Sequence, residues 1–342
     1  MGDPDVSEAT TSPVAVIGAG SFGTALAIQL ARRGSRTRLW GRNSAEMAVA
    51  DRTRHNPRYL VDCEFPMTLV ATGDVDAALR DTEDIVIATP SHALRATVVM
   101  LKPKLQAAQG VVIACKGFEP GTGKLSHEVV AEVLDASHPY AVLSGPTFAN
   151  ELGRGLPTAV IIASKDDAFA KRLAHRLNGG GFRAYTGRDV IGVELGGAAK
   201  NVIAIAAGAS DGLGFGSNAR SLLITRGLAE MRRLGDKMGA ESETLMGLAG
   251  LGDLVLTCTD NQSRNRRMGL LLASGKTIAE ATQEIAQVVE GVKAAPEVHR
   301  LALRYEVSMP ITAVACAVID GRMTPREAFA TLASRSVRAE AK

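Results

Sequence analysis

Lys200 and Asn201 interrupt the stretch VELGGAAKNVIAIAAG, which otherwise has the almost wholly apolar make-up of a buried helix. A helix apolar on all sides is normally enclosed by protein. Enclosure disfavours an ammonium, which is how a lysine comes to give or take a proton near neutral pH. The alternative is a Lys200 stem that lies along apolar surface and brings its head to water. The paired glycines Gly196 and Gly197 cost about 1 kcal/mol each against Ala in a helix and point to close approach of another backbone or a ligand.

A second cluster lies in GLAGLGDLVLTCTDNQSRNRRMG, from Gly247 to Gly269. Asp253 follows a glycine-rich turn and is suited to hold Lys200 by a charge-assisted hydrogen bond. Ser263, Arg264 and Asn265 fall where a helix is expected to begin, so hydroxyl, guanidinium, amide and backbone N–H donors would converge on an anion. Arg266 and Arg267 share that turn and are expected to point elsewhere. The plainer alternative is a solvated basic helix start, which is locally unfavourable without an anion.

A third cluster, GAGSFG, follows the apolar run ending at Ile17 and opens the helical pattern Thr24 to Arg32. Strand, spacing and helix together turn a weak glycine pattern into a dinucleotide-binding one. Gly18 permits the tight turn, Gly20 lets the backbone approach a pyrophosphate, and Gly23 lets helix and strand pack closely. An acidic residue about 20 positions on would take the ribose hydroxyls of NAD; here the second strand ends Leu39, Trp40, Gly41, Arg42. A guanidinium suits a 2′-phosphate, so NADP is favoured over NAD, unless Arg42 is an ordinary solvated loop residue. Ligands of open α/β sheets sit beyond the carboxyl ends of the strands. Three further strand ends carry suitable residues: Thr89-Pro90-Ser91-His92, Lys116-Gly117 and Ser144-Gly145-Pro146-Thr147. Lys116 could meet cofactor or substrate oxygens there, or could be a solvated loop lysine; the third group reads equally as a turn with a helix cap.

These residues need a scaffold, and the hydrophobic pattern supplies one. Short β-branched runs at Val14–Ile17, Thr37–Trp40, Ile85–Ala88, Val111–Cys115, Ala141–Leu143 and Thr158–Ala163 alternate with helical patterns, the rhythm of βα units and a doubly wound, mostly parallel sheet. The runs at 158–163 and 182–186 read either as an extension of that sheet or as an edge hairpin. After Asp189 the rhythm stops, and Ala-, Leu-, Met- and Glu-rich stretches with glycine joints predict an all-helical part. They run through residues 191–208, 219–238, 265–273, 278–288 and 294–304. Thr324-Pro325 reads as an N-cap followed by proline at the first helical position. The expected division is a disordered extension over 1–12, a Rossmann-type dinucleotide-binding domain over 13–189, a helical substrate domain over 190–334 and a frayed tail over 335–342.

Composition narrows the classes of function. The chain has 342 residues, 46% of them hydrophobic, enough for two domains. Thirty-nine basic against 36 acidic residues give a net charge of +3 without a basic stripe, and aromatics are only 4%, so nucleic acid is not an expected partner. Cys63, Cys115, Cys258 and Cys316 form no CxxC pair and no metal-ligand spacing, which predicts a reducing compartment and no metal. The N-terminus lacks the basic and apolar regions of an export signal. Apolar stretches are expected to break well before the roughly 18 to 20 residues that span a bilayer.

Taken together, GAGSFGTALA, ATPSH, CKGFEPGTGKL, SGPTFANE, IGVELGGAAKNVIAIAAG, ITRGLAEM, GLAGLGDLVLTCTDNQSRNRR and QVVEG resemble the bacterial NAD(P)-dependent glycerol-3-phosphate dehydrogenases, from Val14 to about Leu332. The glycine fingerprint is shared by many dehydrogenases, whereas the Lys200 and Asp253–Arg267 segments are particular to this family. The resemblance implies reversible reduction of dihydroxyacetone phosphate to sn-glycerol 3-phosphate in the cytoplasm, feeding phospholipid synthesis, with Lys200 transferring the proton. It places Lys116, Gly145, Thr147, Lys200, Asp253, Ser263, Arg264 and Asn265 on substrate-contact positions. Ser21, Phe22, Arg42, Lys116, Ala149, Arg264, Val288 and Glu290 fall on cofactor-contact positions, beside the glycines, so Lys116 and Arg264 would serve both ligands. Phe22 stands where such proteins often carry Trp or Tyr. A homodimer fits the apolar helical surface. The alternatives are a related reductase of a hydroxy or sugar acid and a non-catalytic NADP sensor, since fold alone does not establish chemistry.

Overall fold

The computed structural model describes residues 12–335. Apart from Ser12 and Arg335, the expected N-terminal extension and C-terminal tail lie outside them. The chain divides into two compact units: one ends at Glu194, and the other comprises Pro120–Gly123 and everything from Leu195 on. The division thus falls a few residues later than position 189/190, inside the helix Val190–Gly212. Its first turn stays with the sheet because the Glu194 carboxylate accepts from the His127 backbone N–H at 2.9 Å and meets His127 Nδ1 at 2.6 Å. Pro120–Gly123 joins the helical unit, where the Gly121 N–H donates to Glu297 at 2.8 Å.

The described residues of the first unit hold ten strands: β1 Val14–Ile17, β2 Thr37–Trp40, β3 His55–Asn56, β4 Leu60–Glu64, β5 Leu69–Thr72, β6 Asp84–Ile87, β7 Gly110–Ile113, β8 Tyr140–Ser144, β9 Thr158–Ala163 and β10 Phe182–Gly187. Eight make one sheet in the order β10-β9-β8-β7-β6-β1-β2-β5. From β8 to β5 every neighbouring pair is parallel. β1, β6 and β7 are buried at every position, as strands covered on both faces must be.

β9 pairs antiparallel with β8 but parallel with β10, so the last two strands extend the sheet and are not an edge hairpin. A parallel pair requires a crossover, and the helix Asp167–Leu177 provides it, capped by Asp166 and burying Phe169, Leu173 and Leu177. The small antiparallel ladder of β3 and β4 and the edge strand β5 are absent from the sequence reading. Their burial is broken or alternating, which gives short strands little hydrophobic signal.

The second unit is helical. Its main helices are Val190–Gly212, Gly216–Met238, Asp253–Thr259, Arg264–Ala273, Ile278–Ile285, Glu290–Arg304, Pro310–Ile319 and Pro325–Ala333. Contrary to expectation, Val190–Gly212 is long and apolar enough to cross a membrane by length and composition; its apolar window is 89% buried inside the protein, as in a core helix. Glycines set its packing. A Cβ on Gly196 would lie 2.5 Å from the Ala249 carbonyl oxygen, one on Gly208 2.0 Å from that of Arg266, and one on Gly269 2.0 Å from that of Ile205. Only glycine allows backbones this close. The helix begun at Ile278 stops at Ile285 because Ala286 turns left-handed, and the next starts at Glu290. Thr324 caps the helix Pro325–Ala333 in a capping box with Glu327.

Candidate functional site

In the sheet unit, the three glycines after β1 behave differently. Gly18 has φ +117°, and a Cβ there would lie 2.8 Å from the Ala88 carbonyl oxygen; a Cβ on Gly23 would lie 1.9 Å from the Gly18 carbonyl oxygen. A Cβ on Gly20 meets nothing within 4 Å. One glycine therefore makes the turn, one lets the helix Ser21–Arg32 seat on the strand, and the middle one leaves open space. That helix starts without a side-chain cap and with no acidic residue in its first turn, so its positive end is available to phosphate. Ser21 and Phe22 are half-buried at its start. The arrangement fits a dinucleotide pyrophosphate.

Three of the sequence-chosen residues meet beyond β7 and β8. Lys116 Nζ donates to the Gly145 carbonyl at 2.9 Å and lies 5.7 Å from the Phe22 ring centroid. The Thr147 hydroxyl donates to the same carbonyl at 2.9 Å. Gly145, at φ +144°, would clash with the Ala159 carbonyl if it bore a side chain. Ala149 opens the helix Ala149–Arg154. Arg42 is exposed after β2, and its neighbour Asn43 is occupied in capping the next helix. One contributor has no motif to announce it. The buried Asn56 side chain donates to the Ala19 carbonyl and the Thr24 hydroxyl, both at 2.9 Å.

In the helical unit, Lys200 is buried, with only 8% of its side chain exposed, so its head does not run out to bulk water. Its Nζ donates to Asp253 Oδ1 at 2.5 Å and to Thr257 Oγ1 at 2.7 Å. The Thr257 hydroxyl donates in turn to the Asp253 carbonyl at 2.6 Å. Thr257 is absent from the sequence reading, although its place four residues after Asp253 puts it on the same helix face. A π-turn over Leu248–Gly252 delivers Asp253, and Gly250 there would clash with the Leu245 carbonyl if it bore a Cβ. Burial pushes the nearby Cys258 thiol up to about 12, so no thiolate competes at neutral pH.

The helix Arg264–Ala273 sorts its polar residues. Ser263 is the N-cap, accepting from the Arg266 N–H at 3.1 Å, which leaves its own proton to donate. Arg266 turns to Asp211 and to Asn261. Arg267 follows Arg264 by three residues, so the two are helical neighbours, and its Nε is buried with no hydrogen-bond partner among the described residues. Arg264 is exposed by area, yet desolvation of its guanidinium lowers its pKa; Glu290 opposes that shift and Arg267 adds to it. Glu290 opens the helix Glu290–Arg304, after half-buried Val288. The Asn265 amide donates to the Asn201 side chain at 2.8 Å and accepts from the Gly291 N–H at 2.9 Å. It thereby joins three segments of the chain and uses one of its two N–H donors.

The fold and glycine turn together define a dinucleotide-binding protein of the dehydrogenase type. Residues 13–170 match the family model described as NAD-dependent glycerol-3-phosphate dehydrogenase N-terminus, and residues 189–330 match that of its C-terminus. The chain belongs to the NAD-dependent glycerol-3-phosphate dehydrogenase family. It is 51% identical over 331 residues to a glycerol-3-phosphate dehydrogenase (NAD(P)+) of Idiomarina loihiensis, covering 96% of this chain and 99% of that protein. The protein of the same name in Pseudoalteromonas translucida is 52% identical over the same length, with the same coverage. The crystal structure of glycerol-3-phosphate dehydrogenase from Coxiella burnetii superposes with a TM-score of 0.92 at 47% identity, covering 95% of this chain and 99% of that one.

Proposed function

We propose that this chain catalyses the reversible reduction of dihydroxyacetone phosphate to sn-glycerol 3-phosphate with NAD(P)H, as the names of its relatives indicate. The observation that carries the chemistry is the buried Lys200 ammonium, fixed by Asp253 and Thr257. A bound nicotinamide supplies the hydride to the ketone carbon. As the carbonyl oxygen gains negative charge, Lys200 gives it a proton; in the oxidative direction neutral Lys200 takes that proton from the alcohol. Asp253 and Thr257 fix the direction of the amine, and placement of this kind lowers the barrier without further chemistry. Arg264 and the Ser263 hydroxyl hold the substrate phosphate, and Arg42 takes the 2′-phosphate that favours NADPH over NADH. Lys116, with Gly145 and Thr147, contributes to both ligands. Asn265 positions Asn201 and the start of the helix Glu290–Arg304 and offers its remaining amide N–H to the phosphate. The product feeds phospholipid synthesis. Four free, buried cysteines suit a cytoplasmic protein, and exposed Leu222 and Phe329 on the helical unit suit a homodimer.

The test is NADPH oxidation with dihydroxyacetone phosphate, run beside NADH and beside unphosphorylated dihydroxyacetone. Turnover that requires the phosphate and prefers NADPH is expected. Equal rates with NADH would remove only the Arg42 role, and equal rates without the phosphate would remove the Arg264 site.

A further inference from the structure

We propose that Asn56, which lies outside the glycine fingerprint, is the positioning residue that aims the fingerprint's central amide at the cofactor pyrophosphate. The inference rests on the nucleotide-binding reading above. Asn56 ends β3 and is 2% exposed. Its amide donates to the Ala19 carbonyl and the Thr24 hydroxyl, each at 2.9 Å. Its oxygen accepts from the Arg58 and Tyr59 backbone N–H groups, each at 3.2 Å. Two donors and two acceptor sites are all that an asparagine amide offers, so the group is saturated and its orientation is fixed. A flipped amide would set oxygen against the Ala19 carbonyl.

The consequence lies in the Ala19–Gly20 peptide. Among the described residues no peptide is cis, and in a planar trans peptide the C=O of one residue and the N–H of the next point in opposite directions. Anchoring the Ala19 carbonyl on Asn56 therefore turns the Gly20 N–H the other way. Gly20 is the one fingerprint glycine whose Cβ position is open space. The bond to Thr24 pins the first turn of the following helix to the same side chain, so one residue sets both the loop peptide and the helix start. The excursion between β2 and β5 then has a role in the nucleotide site, and the role belongs to binding, not to proton transfer.

The test compares wild type with Asn56→Asp, Asn56→Ala and Thr24→Val by NADPH fluorescence titration and steady-state kinetics. Asn56→Ala should raise the Kd and KM for NADPH about tenfold, and Asn56→Asp more, since it sets an oxygen against an oxygen. Turnover at saturating NADPH and the KM for dihydroxyacetone phosphate should stay within about twofold of wild type. Thr24→Val, which removes one of the two acceptors, should raise the NADPH Kd roughly threefold and decides the matter if the Asn56 variants do not fold. Unchanged NADPH affinity, or a turnover that falls as far as the affinity, would overturn the proposal. A wild-type protein that binds no NADPH would instead overturn the nucleotide-site reading itself.

Discussion

Two fingerprint glycines make opposite predictions when each is replaced by alanine. Gly20 has φ −77° and ψ −178°, a conformation any residue adopts, and its Cβ would touch nothing within 4 Å. Alanine there leaves the folded chain undisturbed and reduces the freedom of the unfolded one, so stability should hold or rise by about 0.4–1 kcal/mol. The same methyl fills the space the pyrophosphate must enter. At the usual overpacking cost of about 1–3 kcal/mol, NADPH affinity should fall on the order of 10- to 100-fold. At Gly23 the new Cβ would lie 1.9 Å from the Gly18 carbonyl oxygen and 3.1 Å from Ala88 Cβ. The first contact is backbone, so the whole helix must retreat, and about 3 kcal/mol of stability should go, near 10 °C in Tm. Thermal unfolding without ligand, followed by NADPH titration, separates the two. A Gly20→Ala variant that binds NADPH like wild type would refute the assignment of that open space to the cofactor.

Arg264→Ala should raise the KM for dihydroxyacetone phosphate at least tenfold, since a charge-assisted bond is worth about 1.5–3 kcal/mol; an unchanged KM would remove Arg264 from the phosphate site. Arg42→Ala should raise the KM for NADPH about tenfold and leave that for NADH alone, as measured in parallel titrations. The His127–Glu194 pair predicts a pH effect on stability. Burial lowers the His127 pKa, but the Glu194 hydrogen bond and charge outweigh it, so the net shift is upward from 6.5. Burial raises Glu194 above 4.5 despite the opposing His127. His127 paired with the Glu194 carboxylate holds its proton more tightly folded than unfolded, so this contribution is present below the unfolded value and is lost as pH rises through the raised folded value. The Tm advantage of wild type over His127→Gln should therefore shrink from about pH 6 to pH 9, and an advantage that grows over that range would contradict the pairing.

The alternation of β-branched runs made the sheet unit legible, because strands buried on both faces must be apolar at nearly every position. Strand direction was not legible: β9 reads the same whether it runs with β8 or against it, and only the crossover helix Asp167–Leu177 settles its pairing with β10. Lys200 stood out because a charge in an apolar helix is costly unless it is paired. Thr257 and Asn56 did not stand out, since a hydroxyl or an amide in mixed sequence has no pattern and its value lies in a partner distant along the chain. Asn265 was legible only in part: its place at a helix start suggested a ligand contact, but nothing in the sequence announced the bonds of its amide to Asn201 and Gly291. The long helix Val190–Gly212 escaped notice as an uninterrupted apolar element because Gly196, Gly197 and Lys200 look like breaks, although Gly196 is absorbed by packing and Lys200 by pairing.

The most direct test is the rate of NADPH oxidation at 340 nm on adding dihydroxyacetone phosphate, for wild type beside Lys200→Ala. Turnover by the wild type is expected, with loss of at least about 100-fold of it in the variant, the usual range for a general acid, and with NADPH affinity retained. Near-normal turnover by Lys200→Ala would contradict the proton-transfer role, and no turnover by the wild type would contradict the proposed reaction.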